Sequence, residues 1–145
     1  MPGVIDANIL LYAVNSEDPS HARAALFVRE AAGSADRWYV SEGILYEFLR
    51  VATHPKVFAR PLAWSDALAF VRVLIDAPSI AVLGAGEEHW HVLRRVLEPL
   101  THPGGNLFFD VRTAVLMREH GVRAIYTADA DFLQFADITV VNPLR

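Results

Sequence analysis

Five short runs of β-branched, aliphatic and aromatic residues punctuate the chain: GVI (Gly3 to Ile5), RWYV (Arg37 to Val40), SIAVL (Ser79 to Leu83), RAIYT (Arg123 to Thr127) and ITVV (Ile138 to Val141). Between them lie longer stretches with apolar residues at helical spacing, so the pattern is α/β. Start signals stand before these stretches: Asp18-Pro19 before SHARAALFVREAA, Ser41 before EGILYEFLRVAT, Ser65 in WSDALAFVRVLIDA and Gly86 before EEHWHVLRRVLEPL. Stop signals follow at Gly33, His54-Pro55, Pro78 and Pro99. Connections long enough to hold one or two helices favour a parallel sheet, whose ligand chemistry gathers at the carboxyl ends of its strands. With 145 residues, no repeat and no linker, residues 1–145 are expected to form one domain.

One position breaks the apolar pattern. Asp6 and Asn8 sit inside MPGVIDANILLYAV, directly after the first strand, where an unpaired buried carboxylate costs several kcal/mol or more. The expected remedy is a cation that the chain does not encode, because the other candidate residues are acids too. Asp110, in LFFDVRTAVLMREHG, shares a helical face with Ala114 and Met117, whereas Arg112 and Glu119 project to the opposite side. The helix dipole contributes roughly 1 kcal/mol to its ionised form, too little to offset full burial.

On the helix after the second strand, periodicity leaves Glu42 and Glu47 level, both bordering the apolar face. Position favours Glu47, because Glu42 follows the cap residue Ser41, where acids serve the dipole, and Glu47 lies mid-helix. Asp129, after RAIYT, stands at the same sheet edge as Asp6 if the strands are parallel, although an aspartate before ADFLQF also suits a helix cap. Asp131 reads as a first-turn acid and is left outside the candidate site.

Composition removes several chemistries. The absence of cysteine excludes disulfides, thiolate nucleophiles and Cys-type zinc sites. No GxSxG elbow, Walker loop or GxGxxG follows a strand. His89 and His91 are two apart on a helix, roughly 200° around it, and cannot chelate together. With no bilayer-length apolar run and no signal-like start, the protein is expected to be soluble and cytoplasmic, with no membrane contact. A net charge of -4 puts the burden of any RNA attraction on local arginines, of which Arg50, Arg60 and Arg112 are candidates. A hydrophobic fraction of 53% suggests apolar surface for a partner or a second copy.

The segments VIDANILLYAV, VSEGILYEFLRVATHP, GNLFFDVRTAVLMREHG and IYTADADF resemble, in order and over nearly the whole chain, the acidic motifs of PIN-domain nucleases, specifically VapC-type toxins of VapBC toxin-antitoxin systems. The resemblance implies a three-layer α/β/α sandwich with a central, mostly parallel sheet. It also implies that Asp6, Glu47, Asp110 and Asp129 are the catalytic, metal-binding acids, supported by Asn8 and Thr127. The implied activity is Mg²⁺-dependent endoribonuclease, with Mn²⁺ as substitute, and the implied partners are an RNA substrate, a VapB-like antitoxin and a second copy in a homodimer. Oxygen-only donors fit that choice of ion, and ions are what allow converging carboxylates to accept a phosphodiester. Two rival readings are a non-catalytic PIN-like RNA- or protein-binding module and a small Mg²⁺-dependent phosphotransfer domain. The second is disfavoured because the only lysine is Lys56, away from the late strands where a receiver domain needs one.

Overall fold

A computed structural model describes residues 1–145. Its strands are β1 (Val4–Ile5), β2 (Trp38–Ser41), β3 (Ile80–Leu83), β4 (Ala124–Tyr126) and β5 (Thr139–Val141), so all five expected runs form strands. They make one sheet in the order β3-β2-β1-β4-β5. Every neighbouring pair is parallel. The helices are α1 (Ala7–Val14), α2 (His21–Ala32), α3 (Glu42–Ala52), α4 (Trp64–Asp76), α5 (His89–Leu97) and α6 (Leu107–His120), with a 3₁₀ turn at Ala130–Gln134.

The strand order dictates the layers. From β1 the chain steps to β2 and β3 in one direction, then crosses back to β4 and β5 on the other side of β1. Right-handed crossovers therefore place α1 to α4 on one face and α5 and α6 on the other. The packing agrees: α1 touches α2 and α3, α3 touches α4, and α5 lies on α6. The reversal of strand order falls between β1 and β4, and the carboxyl ends of such a pair open into the crevice where open α/β sheets bind ligands. Asp6 leaves β1 into that crevice, while Thr127 and Asp129 leave β4 into it.

Some local starts differ from expectation. Ser41 caps α3 as predicted, its hydroxyl accepting from the Ile44 amide at 3.1 Å. Helix α4 instead begins at Trp64, without a side-chain cap, and α5 begins at His89, three residues after Gly86. Helix α1 is absent from the periodicity reading altogether. ANILLYAV is apolar at almost every position, so no face stands out, and the cue that was there is Asp6, whose Oδ1 accepts from the Ala7 amide at 2.8 Å as the N-cap.

Beside the crevice strands, Gly3 is dictated by close approach. A Cβ there would stand 2.2 Å from the Ala124 carbonyl oxygen on β4, a backbone atom that cannot swing away. Gly3→Ala is expected to lower unfolding free energy by about 2 kcal/mol or more, read by urea denaturation. Wild-type stability in that variant would mean that β1 and β4 separate freely.

Candidate active site

Asp6 is almost fully buried, with 8% of its surface exposed. The chain answers with hydrogen bonds but not with charge. Besides the Ala7 amide, its carboxylate accepts from Thr127 Oγ1 at 2.8 Å and from Asn8 Nδ2 at 3.3 Å. Asn8 also donates to Thr127 Oγ1 at 2.9 Å and accepts from the Ala128 amide at 3.1 Å, and Thr127 Oγ1 accepts from the Asp129 amide at 3.0 Å. Asn8 and Thr127 thereby tie the ends of β1 and β4 together and orient Asp6 and Asp129. No arginine or lysine forms an ion pair with Asp6. Burial pushes the Asp6 carboxyl up against the pull of Thr127 and the Ala7 amide, and Asp129 adds to the rise.

Asp110, half-buried in the first turns of α6, lies with Asp129 and Asp131 so that one carboxylate oxygen from each falls within 4.8 Å of the others. Burial first, then repulsion from Asp6, Asp129, Asp131 and Glu47, raises Asp110 to about 7, so the dipole at this helix start is outweighed. Glu47 stands exposed on α3, its carboxyl raised by partial burial and by Asp6 against the pull of Arg50.

Two adjoining cavities border these acids. One, of roughly 300 Å³, holds Asp6, Glu47 and Asp110 together with Arg50 and Arg112. A more open one of roughly 490 Å³ holds Glu47, Asp110, Asp129 and Asp131. All four acids named from the motifs thus face one crevice, but the tightest carboxylate group is Asp110, Asp129 and Asp131, without Asp6. Asp131 enters because the 3₁₀ turn that Asp129 caps, accepting from the Asp131 amide at 2.9 Å, folds the second aspartate of TADAD back toward the first. Glu42 borders neither cavity.

Arg112 departs from the helical-wheel reading. It makes no ion pair with Asp110, yet its long side chain reaches across to Gly43 of α3 and lines the same cavity. Arg60 is instead paired with Glu17 at 3.1 Å. Sequence reasoning also missed the His89–Glu119 pair, Nδ1 to Oε1 at 2.5 Å, which fastens the start of α5 to the end of α6, away from the acids. Only tertiary packing brings those two residues together.

A carboxylate cluster in which no acid forms an ion pair and the donors are all oxygen suits a hard divalent ion. The PIN domain family model matches residues 3–138, with the acids of all four motifs inside the match. The chain belongs to the PIN-domain family. Within that family it is similar to Ribonuclease VapC33 of Mycobacterium tuberculosis, 35% identical over 140 residues that cover 97% of this chain and 96% of that protein. Ribonuclease VapC48 of the same organism is 31% identical over 143 residues, covering 99% and 98%. Among solved structures, VapBC-1 from nontypeable Haemophilus influenzae aligns over 100% of both chains with a TM-score of 0.66 and 16% identity. M. tuberculosis VapC20, described as a sarcin-ricin loop cleaving toxin, aligns over 96% of this chain and 98% of its own, with a TM-score of 0.66 and 17% identity. At that identity the structures establish the α/β/α PIN fold.

In this PIN domain, Thr127 is the joint on which the Asp6 and Asp129 motifs meet. Thr127→Val keeps the shape and removes the hydroxyl that Asp6, Asn8 and the Asp129 amide all use. We expect a stability loss of about 1–3 kcal/mol by urea denaturation. Mn²⁺ affinity by calorimetry should fall roughly 10- to 100-fold. Unchanged Mn²⁺ affinity would deny Thr127 its orienting role.

Proposed function

We propose that residues 1–145 are a single PIN nuclease domain that acts as a VapC-type endoribonuclease toxin, cleaving RNA at the crevice between β1 and β4 with Mg²⁺, or Mn²⁺ in its place. The observation that carries this reading is the convergence of Asp6, Glu47, Asp110 and Asp129, joined by Asp131, on one crevice without an ion pair to any of Asp6, Asp110, Asp129 or Asp131. Such a cluster repels a phosphodiester until cations neutralise it.

A bound divalent ion would neutralise the phosphate and acidify a water, the chemistry of metal-assisted hydrolysis. The residues supply the rest. Asp110, Asp129 and Asp131 offer clustered oxygens, and Asp6 offers one fixed in direction by Ala7, Asn8 and Thr127. Glu47, at the rim with a raised carboxyl pKa, is placed to take the proton that the attacking water loses. The water oxygen forms a new P–O bond as the P–O bond to the leaving 3′ oxygen breaks, and that oxygen takes a proton from solvent, giving a 5′-phosphate and a 3′-hydroxyl.

The partner in this reading is a VapB-like antitoxin, as in the VapBC complexes that share the fold. Exposed Trp64, Val73 and Trp90 supply apolar surface for it and for a homodimer. No helix is long and apolar enough to cross a membrane, which accords with a cytoplasmic toxin. The deciding experiment compares cleavage of structured RNAs by wild type and Asp6→Asn with Mg²⁺ or Mn²⁺. Cleavage should require the ion and vanish in the variant. Equal activity in both proteins would remove the nuclease reaction from this site and favour the binding-module alternative.

A further inference from the structure

The smaller cavity contains features that hydrolysis alone does not call for. Its wall includes Tyr46 and Phe109, exposed by 67% and 70%, with Ile44 buried behind them. Together they put exposed apolar surface on the wall of the crevice, where a bound group could cover it. The cavity also holds two arginines, Arg50 and Arg112, neither of which has an ion-pair or hydrogen-bond partner for its guanidinium, although acids stand near by. Arg50 lowers the pKa of Glu47, whereas Arg112 is not among the causes that shift Asp6, Glu47 or Asp110.

Gly43 supplies an independent observation. It occupies the first turns of α3, where glycine weakens a helix relative to alanine. A Cβ on it would come 2.6 Å from Nη1 of Arg112 and 3.4 Å from its guanidinium carbon. The missing methyl makes the seat in which that guanidinium lies. A planar group with five donors, seated at one end of an aromatic-walled cavity that opens onto Asp6 and Asp110, matches a phosphate and the base attached to it.

We propose that the cavity between α3 and the start of α6 seats an unpaired nucleotide of the RNA next to the scissile phosphate, with Tyr46 and Phe109 stacking on its base and Arg112, seated on Gly43, holding its phosphate. This rests on the nuclease reading and adds to it the residues that would seat the substrate; the base they stack on is unpaired, because a paired base cannot present its face to an aromatic wall. Arg112 and the aromatics bind and position substrate, while the acids carry the chemistry. Arg50, which borders both cavities, lies between the two groups.

The test uses the full chain and a random-sequence single-stranded RNA pool of roughly 16 nucleotides, with a duplex of the same length as control. Binding is read by fluorescence anisotropy in Ca²⁺ across a salt series, and cleavage of the pool is read in Mn²⁺. Phe109→Ala and Arg112→Ala should each weaken single-strand binding about tenfold and raise KM more than they lower kcat. Arg112→Ala should also make the salt dependence shallower by about 0.7 in log–log slope, the loss of one single-strand phosphate contact, whereas Arg112→Lys keeps the slope. Gly43→Ala should weaken binding in the same direction as Arg112→Ala while leaving the melting temperature unchanged or higher. A merely structural glycine would not behave so.

Wild-type single-strand affinity and slope in Arg112→Ala and Phe109→Ala would overturn the proposal, as would equal losses on single strand and duplex. If those variants lose capture of the co-expressed antitoxin while RNA binding is unchanged, the cavity belongs to the inhibitor and the proposal is likewise overturned. An Asp110→Asn control separates the two levels: persistent cleavage there sinks the nuclease reading, whatever the binding variants do.

Discussion

Asp110→Asn is expected to lower RNA cleavage by more than about 100-fold in kcat/KM, a larger effect than the loss of a group that only orients a metal ligand. The same substitution should raise the melting temperature of the metal-free protein near neutral pH. Both effects come from one geometry. Asp110 sits half-buried among Asp6, Asp129, Asp131 and Glu47, and burial together with their repulsion lifts its carboxyl to about 7. An amide keeps the shape, sheds the unfavourable charge and loses the negative oxygen that a divalent ion would use in the proposed site. Cleavage falling while stability rises is the pattern of a site that keeps a strained charge for function. A variant that loses both activity and stability would instead make Asp110 an ordinary structural acid.

Raising the pH should destabilise the metal-free protein across the range from about 4 to about 7, and divalent ions should reverse the loss. The sign follows from the raised carboxyl pKa. Between the ordinary value of 3.8 and the folded value of about 7, the native state holds a proton on Asp110 that the unfolded chain releases. That stability is complete below the unfolded pKa and is lost as pH rises through the folded one. Asp6 and Glu47 are raised as well and act in the same direction. Glu119 runs the other way: burial raises it, but the His89 ring and the Gly86 amide more than compensate, so its contribution is complete above its ordinary value of 4.5 and is lost as pH falls below it. Thermal melts in EDTA should therefore decline from about pH 5 to about pH 8, and Mn²⁺ should stabilise more at the higher pH, where it no longer competes with protons. Equal Mn²⁺ stabilisation at both ends would place the ion away from these acids.

The elements that were legible from the chain alone are those whose signals are local. β-branched and aliphatic runs marked all five strands because each is a short segment bounded by polar or turn residues, even β5, none of whose residues is fully buried. Ser41 announced the start of α3, because capping is a contact between near neighbours. Asp6 and Asp110 stood out because a carboxylate at the end of an apolar strand or on an apolar helix face contradicts its surroundings, and that contradiction is visible without coordinates; Asp129 reads equally well as a helix cap and joins them only through the motif resemblance. Helix α1 was hidden by its uniform apolarity, and the starts of α4 and α5 by the absence of side-chain caps.

What needed the tertiary structure was everything that depends on where separate elements meet. The β3-β2-β1-β4-β5 order, which no local pattern encodes, turns four scattered acids into one crevice at the strand-order reversal. The fold of the 3₁₀ turn admits Asp131 to the cluster, and the absence of a Cβ on Gly43 leaves room for Arg112 to lie across from the side to which its helical position assigns it. Periodicity gives the direction in which a Cβ leaves its own helix. Where the far end of a long side chain comes to rest is decided by the neighbouring helix.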